Sequence, residues 1–181
     1  MGKNKTIVIE GGGFRTAYTA GILDAFIVSD FHPFDRYVGV SGGAIALSYY
    51  LSGQYKAYYK GMKYLSKDPN FIKFTNMFAS SGYMNIDYVQ DLAMVRYPLD
   101  IDKALDLMWK KNKEVRFVAT DRKTGKATFL APTKEDWIDM IVASSTLPFV
   151  TKGVHRVGNK ELMDGGWSDH PRSFAVVNGV R

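Results

Sequence analysis

Two glycine turns, each set between a short β-branched run and a helix rich in apolar residues, constrain this chain more than any other feature. Thr6-Ile7-Val8-Ile9 reads as a buried strand that runs into Glu10-Gly11-Gly12-Gly13. Arg15 to Ser29 then carries Ala17, Tyr18, Ala20, Gly21, Leu23, Ala25 and Phe26 at mostly helical spacing. After a turn at His32-Pro33, Tyr37 to Val40 forms a second strand that ends in Gly39-Val40-Ser41-Gly42-Gly43. Ala44 to Leu51 follows, apolar nearly all round, which marks a buried helix. Strand, glycine turn and helix, twice over, is the rhythm of βαβ units, so a parallel sheet is expected.

The rest of the chain continues the alternation. Gln54 to Tyr97 is rich in Tyr, Lys and Met, and Lys56, Lys60, Lys63 and Lys67 fall at offsets of 4, 3 and 4, on one helical face. Such a face is ordinarily just solvated; its other reading is an interfacial helix whose lysines meet anionic headgroups. Asp102 to Lys111 is a further helix. Val115 to Thr120 and Ala127 to Leu130 form a hairpin through Asp121-Arg122-Lys123-Thr124-Gly125-Lys126. Thr133 with Asp136 resembles a capping box that opens a helix to about Ser144, and Pro148 ends that region. Val154 to Val157 and Glu161 to Met163 are short strands around Gly158-Asn159, the second delivering Asp164-Gly165-Gly166. With neither repeats nor linkers, residues 1–181 are expected to form one domain.

Composition narrows the partners. At 181 residues, 46% hydrophobic and 23% charged, the chain has material for one core and is neither disordered nor fibrous. It has no apolar run near the roughly 18 residues that span a bilayer. A net charge of +6 favours anionic partners, a membrane surface among them. Scattered lysines rather than clustered arginines speak against nucleic acid. With no cysteine, disulfides, thiol catalysis and thiolate metal sites drop out, and no clustered His, Asp or Glu suggests another metal or cofactor site. Met1-Gly2-Lys3-Asn4-Lys5-Thr6 fits the loose myristoylation pattern, but Thr6 opens the first strand, and the expected location is cytoplasmic, with peripheral membrane contact as its extension.

Chemistry concentrates at the turns. Gly39-Val40-Ser41-Gly42-Gly43 fits G-x-S-x-G, in which a serine on a sharp strand-to-helix turn projects its Oγ over the sheet, and Gly39 and Gly43 let the turn close. The Gly11-Gly12-Gly13 run lets consecutive backbone N–H groups converge on an anion ahead of a helix N-terminus. A dinucleotide site would need glycine where Thr16 stands, and a P-loop would need Gly-Lys-Ser/Thr, so an oxyanion hole fits best. A serine nucleophile needs a base. His32, His155 and His170 lie in turn or polar settings expected at the surface, and Asp164 stands at a strand end before two glycines. An ordinary aspartate is a poor base at pH 7, but burial beside a hydroxyl raises its pKa. Spacing alone does not choose between them.

Taken together, E-G-G-G-F-R-T with A-G-I-L-D-A-F after it, G-V-S-G-G, Ala143-Ser144-Ser145-Thr146-Leu147-Pro148 and Asp164-Gly165-Gly166 resemble the four ordered blocks of the patatin-like phospholipases, over residues 7 to about 169. The resemblance implies a three-layer α/β/α fold with a mainly parallel central sheet, and lipid acyl hydrolysis by a Ser–Asp dyad without histidine, metal or cofactor. By position, Ser41 is then the nucleophile and Asp164 its base. Gly11, Gly12 and Gly13 form the oxyanion hole, and Arg15 supports that loop. Two features depart from the family pattern. Thr16 stands where the family usually has glycine, which is expected to put a side chain beside the oxyanion loop. The chain also ends at Arg181, soon after Asp164, where the family's domain continues, as in a short member, a fragment or a C-terminally truncated domain; missing strands would leave a sheet edge and apolar surface exposed.

The expected activity is therefore cleavage of a lipid or small acyl ester, and the aromatic residues between 49 and 97 suit an acyl groove as well as a core. The alternatives are a non-catalytic lipid- or membrane-binding module on the same fold, for which Ser41→Ala would change nothing, and a nucleotide binder using the glycine loop, against which Thr16 speaks.

Overall fold

The structure, a computed structural model, describes residues 5–69, 71, 84–148, 150, 151 and 153–168. Strand β1 (Thr6–Ile9) leads through the glycine loop and a single 3₁₀ turn into α1 (Thr16–Val28). Strand β2 (Arg36–Val40) leads through Ser41 into α2 (Gly42–Leu51), and α3 (Ala57–Leu65) follows. Next come the short α4 (Asp87–Asp91), a π-turn (Leu92–Arg96) and α5 (Ile101–Lys110). Strands β3 (Glu114–Asp121) and β4 (Ala127–Leu130), helix α6 (Trp137–Ser145), and strands β5 (His155–Val157) and β6 (Lys160–Asp164) complete the described chain.

The strand pairings explain where a site can form. β1, β2 and β3 run parallel, and β3 continues past the end of β2, whose last pair is Val40 with Val118. Ala119 pairs with Thr128 of β4 and with Asp164 of β6, both antiparallel, so β4 and β6 lie on opposite edges of β3. β6 therefore shares an edge with β2. The two strands meet end to end, and the carboxyl ends of both, at Val40 and Asp164, face one another across the Val118–Ala119 step. β5 pairs antiparallel on the outer side of β6. Parallel pairing is thus confined to β1, β2 and β3, and the sheet is mixed on the far side.

Alternation along the strands buries both faces. Tyr37, Val115, Phe117 and Ala119 pack with α1, α2, α5 and α6 in the main core, and Val38, Val40 and Val118 form a smaller cluster on the other face. Helix α2 is buried at every position, as its all-round apolarity requires. Its buried Ser48 hydroxyl accepts a hydrogen bond at 2.9 Å from the Trp137 indole of α6, so neither polar group is left unpaired. Each large buried side chain here contributes roughly 1.5–3 kcal/mol. Among the described residues no helix is long and apolar enough to cross a membrane.

Two sequence expectations shift at element ends. The lysine face spans more than its helix: only Lys60 and Lys63 lie within α3, Lys56 precedes it at φ 59° and Lys67 follows, although all four are exposed. Helix α6 begins at Trp137 rather than near Thr133. Asp136 spends its carboxylate on the backbone N–H of Thr133 at 2.6 Å, half of the expected box, and caps nothing inside the helix.

Candidate active site

Ser41 sits between β2 and α2 at φ 55°, ψ −130°, a conformation that a serine adopts only under constraint. The constraints are visible. Its carbonyl accepts from the N–H of Ala44 at 2.8 Å, opening α2, and its own N–H donates to Ser144 Oγ at 2.8 Å. The flanking glycines are required by contact. A Cβ on Gly39 would stand 2.6 Å from the Ala44 Cα, and one on Gly43 would stand 2.3 Å from the Ile9 carbonyl oxygen. The helix is pressed against both strands, and only glycine fits between.

The glycine loop after β1 closes over the same point. A Cβ on Gly11 would lie 2.7 Å from Ser41 Cβ and 3.4 Å from Oγ, so the loop backbone touches the serine. Gly12 and Gly13 take φ 147° and 54°, which bends the chain into the turn before α1. The exposed Arg15 lays its guanidinium against Gly12, 3.2 Å from where a Cβ would be. Thr16 is buried; its hydroxyl donates to the Gly13 carbonyl at 2.6 Å and also bonds the Tyr58 hydroxyl of α3. The side chain expected beside the oxyanion loop thus ties that loop to α3. Burial pushes the Tyr58 phenol up to about 12, so it remains a neutral partner.

Asp164 ends β6 and is only 4% exposed. Its Oδ1 accepts from the Gly166 N–H at 2.8 Å, and its Oδ2 is buried without a hydrogen-bond partner. Burial raises the carboxyl above the ordinary aspartate value; the Ser41 hydroxyl and the Gly166 N–H oppose that rise. The serine therefore acts on this carboxylate by proximity, short of a formed hydrogen bond. The segment after α6 braces both partners. Ser144 Oγ holds Ser41 and donates to the Val118 carbonyl at 2.6 Å, and the carbonyls of Thr146 and Ser144 accept from the N–H groups of Asp164 and Gly165. Nothing local in the sequence assigned Ser144 this work; only its place in the third resembling block marked it.

Two cavities meet at Ser41 and share Gly13 and Leu147. One, of about 310 Å³, is lined by the charged side chains of Glu10, Arg15 and Asp164 together with the glycine loop, Val40 and Trp167. The other, of about 110 Å³, is apolar and runs between Phe14, Ile45, Tyr58, Leu65, Ile86 and Leu92. The arrangement is suited to a molecule with a polar end and a greasy end, and Ser41 lies at the junction. All eight expected site residues, Ser41, Asp164, Gly11, Gly12, Gly13, Arg15, Gly39 and Gly43, thus gather around the ends of β1, β2 and β6. Neither described histidine lines either cavity. His32 is not at the surface as expected: it packs on Tyr50, with Nδ1 2.6 Å from the phenolic oxygen, ahead of the opposite end of β2. His155 lies 3.2 Å from Asp139, and His170 lies outside the described residues. Among the described residues no three His, Asp or Glu side chains converge to hold a metal ion.

The family model described as Patatin-like phospholipase matches residues 7–172. The uncharacterized protein YjjU of Escherichia coli (strain K12) is 35% identical over 171 residues, covering 90% of this chain and 45% of YjjU. The chain therefore spans about half the length of that curated relative. The crystal structure of VipD from Legionella pneumophila matches with a TM-score of 0.55 at 14% identity, over 93% of this chain and 47% of the VipD chain, a likeness of fold.

Proposed function

This chain belongs to the patatin-like phospholipase family, and from that premise we propose that it is a serine acyl hydrolase working through a Ser41–Asp164 dyad. The observation that carries the reading is the meeting of a cavity bearing charged side chains and an apolar cavity at one constrained serine, with a buried carboxylate beside it.

In the first half-reaction Ser41 Oγ attacks the ester carbonyl carbon and Asp164 takes the hydroxyl proton. The new C–O bond makes a tetrahedral oxyanion, held by N–H groups of Gly11, Gly12 and Gly13 at about 3 kcal/mol per donor. Arg15, against Gly12, keeps that loop in shape and adds positive charge to the larger cavity. Collapse breaks the bond to the leaving alcohol, whose oxygen receives the proton back from Asp164. Water then attacks the acyl-enzyme, Asp164 again accepting its proton, and the carboxylic acid leaves with Ser41 regenerated. The acyl chain occupies the apolar cavity, which makes a lipid or other acyl ester the substrate class. The raised pKa of Asp164 matters here: a buried carboxylate is a stronger base than an ordinary one.

The test is hydrolysis of a soluble p-nitrophenyl acyl ester by the wild type and by Ser41→Ala. Activity in the wild type that vanishes in a folded Ser41→Ala supports the reading; equal rates in both, or none in either, contradict it. A cytoplasmic location is part of the same proposal, tested by cell fractionation.

A further inference from the structure

We infer that the outward faces of α1 and α3 dock on an anionic lipid bilayer. Helix α1 turns Thr16, Ala20 and Leu23 into the core, yet its opposite side is also apolar. Tyr18 is 80% exposed, Ile22 42% and Val28 72%, and with Gly21 and Ala25 they form one stripe at helical spacing. A helix apolar on both sides has a second partner beyond its own core.

The neighbouring helix gives that partner its charge. α3 lies beside α1, joined by the Asp24 carboxylate, which accepts from the Lys56 N–H at 2.8 Å, and by the Thr16–Tyr58 hydrogen bond. With Tyr58, Gly61 and Leu65 turned inward, Tyr59, Lys60 and Lys63 face out, and Tyr55, Lys56 and Lys67 extend the same surface. Among the described residues none of these four lysines makes an ion pair, so their charge is open to solvent or to an anionic partner. Exposed tyrosines between uncompensated lysines, next to an apolar stripe, match the chemistry of a surface at anionic headgroup depth.

Charge also decides against a second copy of the chain as the occupant. A two-fold contact through this face would gather the lysines of both copies into one interface, with like charge on both sides of it. An anionic bilayer neutralises them while taking up the stripe. The docked surface adjoins the apolar cavity, since the inward side chains Tyr58, Met62 and Leu65 line it. This link to the acyl site rests on the hydrolase reading; the docking itself does not.

The test is flotation of the protein with vesicles of phosphatidylcholine alone and of phosphatidylcholine mixed with phosphatidylglycerol, at low and high salt. We expect binding to the mixed vesicles only, weakened by salt. K60Q with K63Q should lower affinity roughly 30-fold, from about fivefold per lysine. Y18S with I22S should lower it roughly tenfold. The lysines and Tyr18 are well exposed and Ile22 is 42% exposed, so the lysine pair should leave thermal melting unchanged and the apolar pair should lower it only slightly. Absence of binding to the mixed vesicles overturns the inference, as does binding that neither pair of substitutions weakens. A wild-type dimer in sedimentation that Y18S with I22S dissociates would also overturn it, assigning the stripe to a contact between copies.

Discussion

Asp164 is an acid whose surroundings favour its neutral form, and that has a measurable sign. In the unfolded chain it titrates near 3.8; in the native protein burial raises it, only partly offset by Ser41 and the Gly166 N–H. A raised native pKa means that the ionised carboxylate costs stability in full above the native value, and that the cost fades as pH falls from there towards the unfolded value and is gone below it. Asp164→Asn should therefore melt at a higher temperature than wild type at neutral pH, and the two should converge in acid. Melting curves across that range check it, and a variant less stable than wild type at neutral pH would contradict it. The second prediction at this scale concerns Thr16. Its hydroxyl joins Gly13 to Tyr58, so Thr16→Val should lower turnover about tenfold with little change in KM, while Thr16→Ser should retain it. Steady-state kinetics on a soluble ester separate the two outcomes.

The turns carry the site, and two glycines show how differently they are constrained. Gly43 faces the Ile9 carbonyl at a distance no Cβ can occupy, and that neighbour is strand backbone with no freedom to yield. Gly43→Ala should cost about 3 kcal/mol. Gly21, inside α1, has nothing within 4 Å of an added Cβ, and Gly21→Ala should gain about 0.5–1 kcal/mol. Denaturant unfolding measures both. At this scale the sequence was most legible where the signal is local. β1 and β4 have the bounds their β-branched and aromatic runs dictate, and the elbow shows itself in five residues. Legibility failed where a long-range bond decides. Thr16 owes its place to Tyr58, 42 residues away, and Ser144 braces a backbone N–H 103 residues away. α6 starts later than its capping pattern implies because Asp136 turns its carboxylate back to Thr133. The dyad itself needed the resemblance, because nothing near Asp164 in the chain reveals that β6 will meet β2 end to end.

For the molecule as a whole, the sheet makes the site by topology: a parallel strand and an antiparallel strand share one edge of β3 and aim their carboxyl ends at each other. The glycine loop, the elbow and the brace after α6 then close around that junction, leaving a cavity with charged side chains on one side of Ser41 and an apolar one on the other. Membership of the patatin-like phospholipases and the likeness to VipD agree with the fold. The central claim is an activated serine, and it is tested most directly by intact mass after incubation with a fluorophosphonate, followed by peptide mapping. We predict a single adduct on Ser41 of the wild type, absent from Ser41→Ala and formed much more slowly in folded Asp164→Asn. A well-folded wild-type protein that takes up no adduct, or takes it up on another residue, would contradict the account.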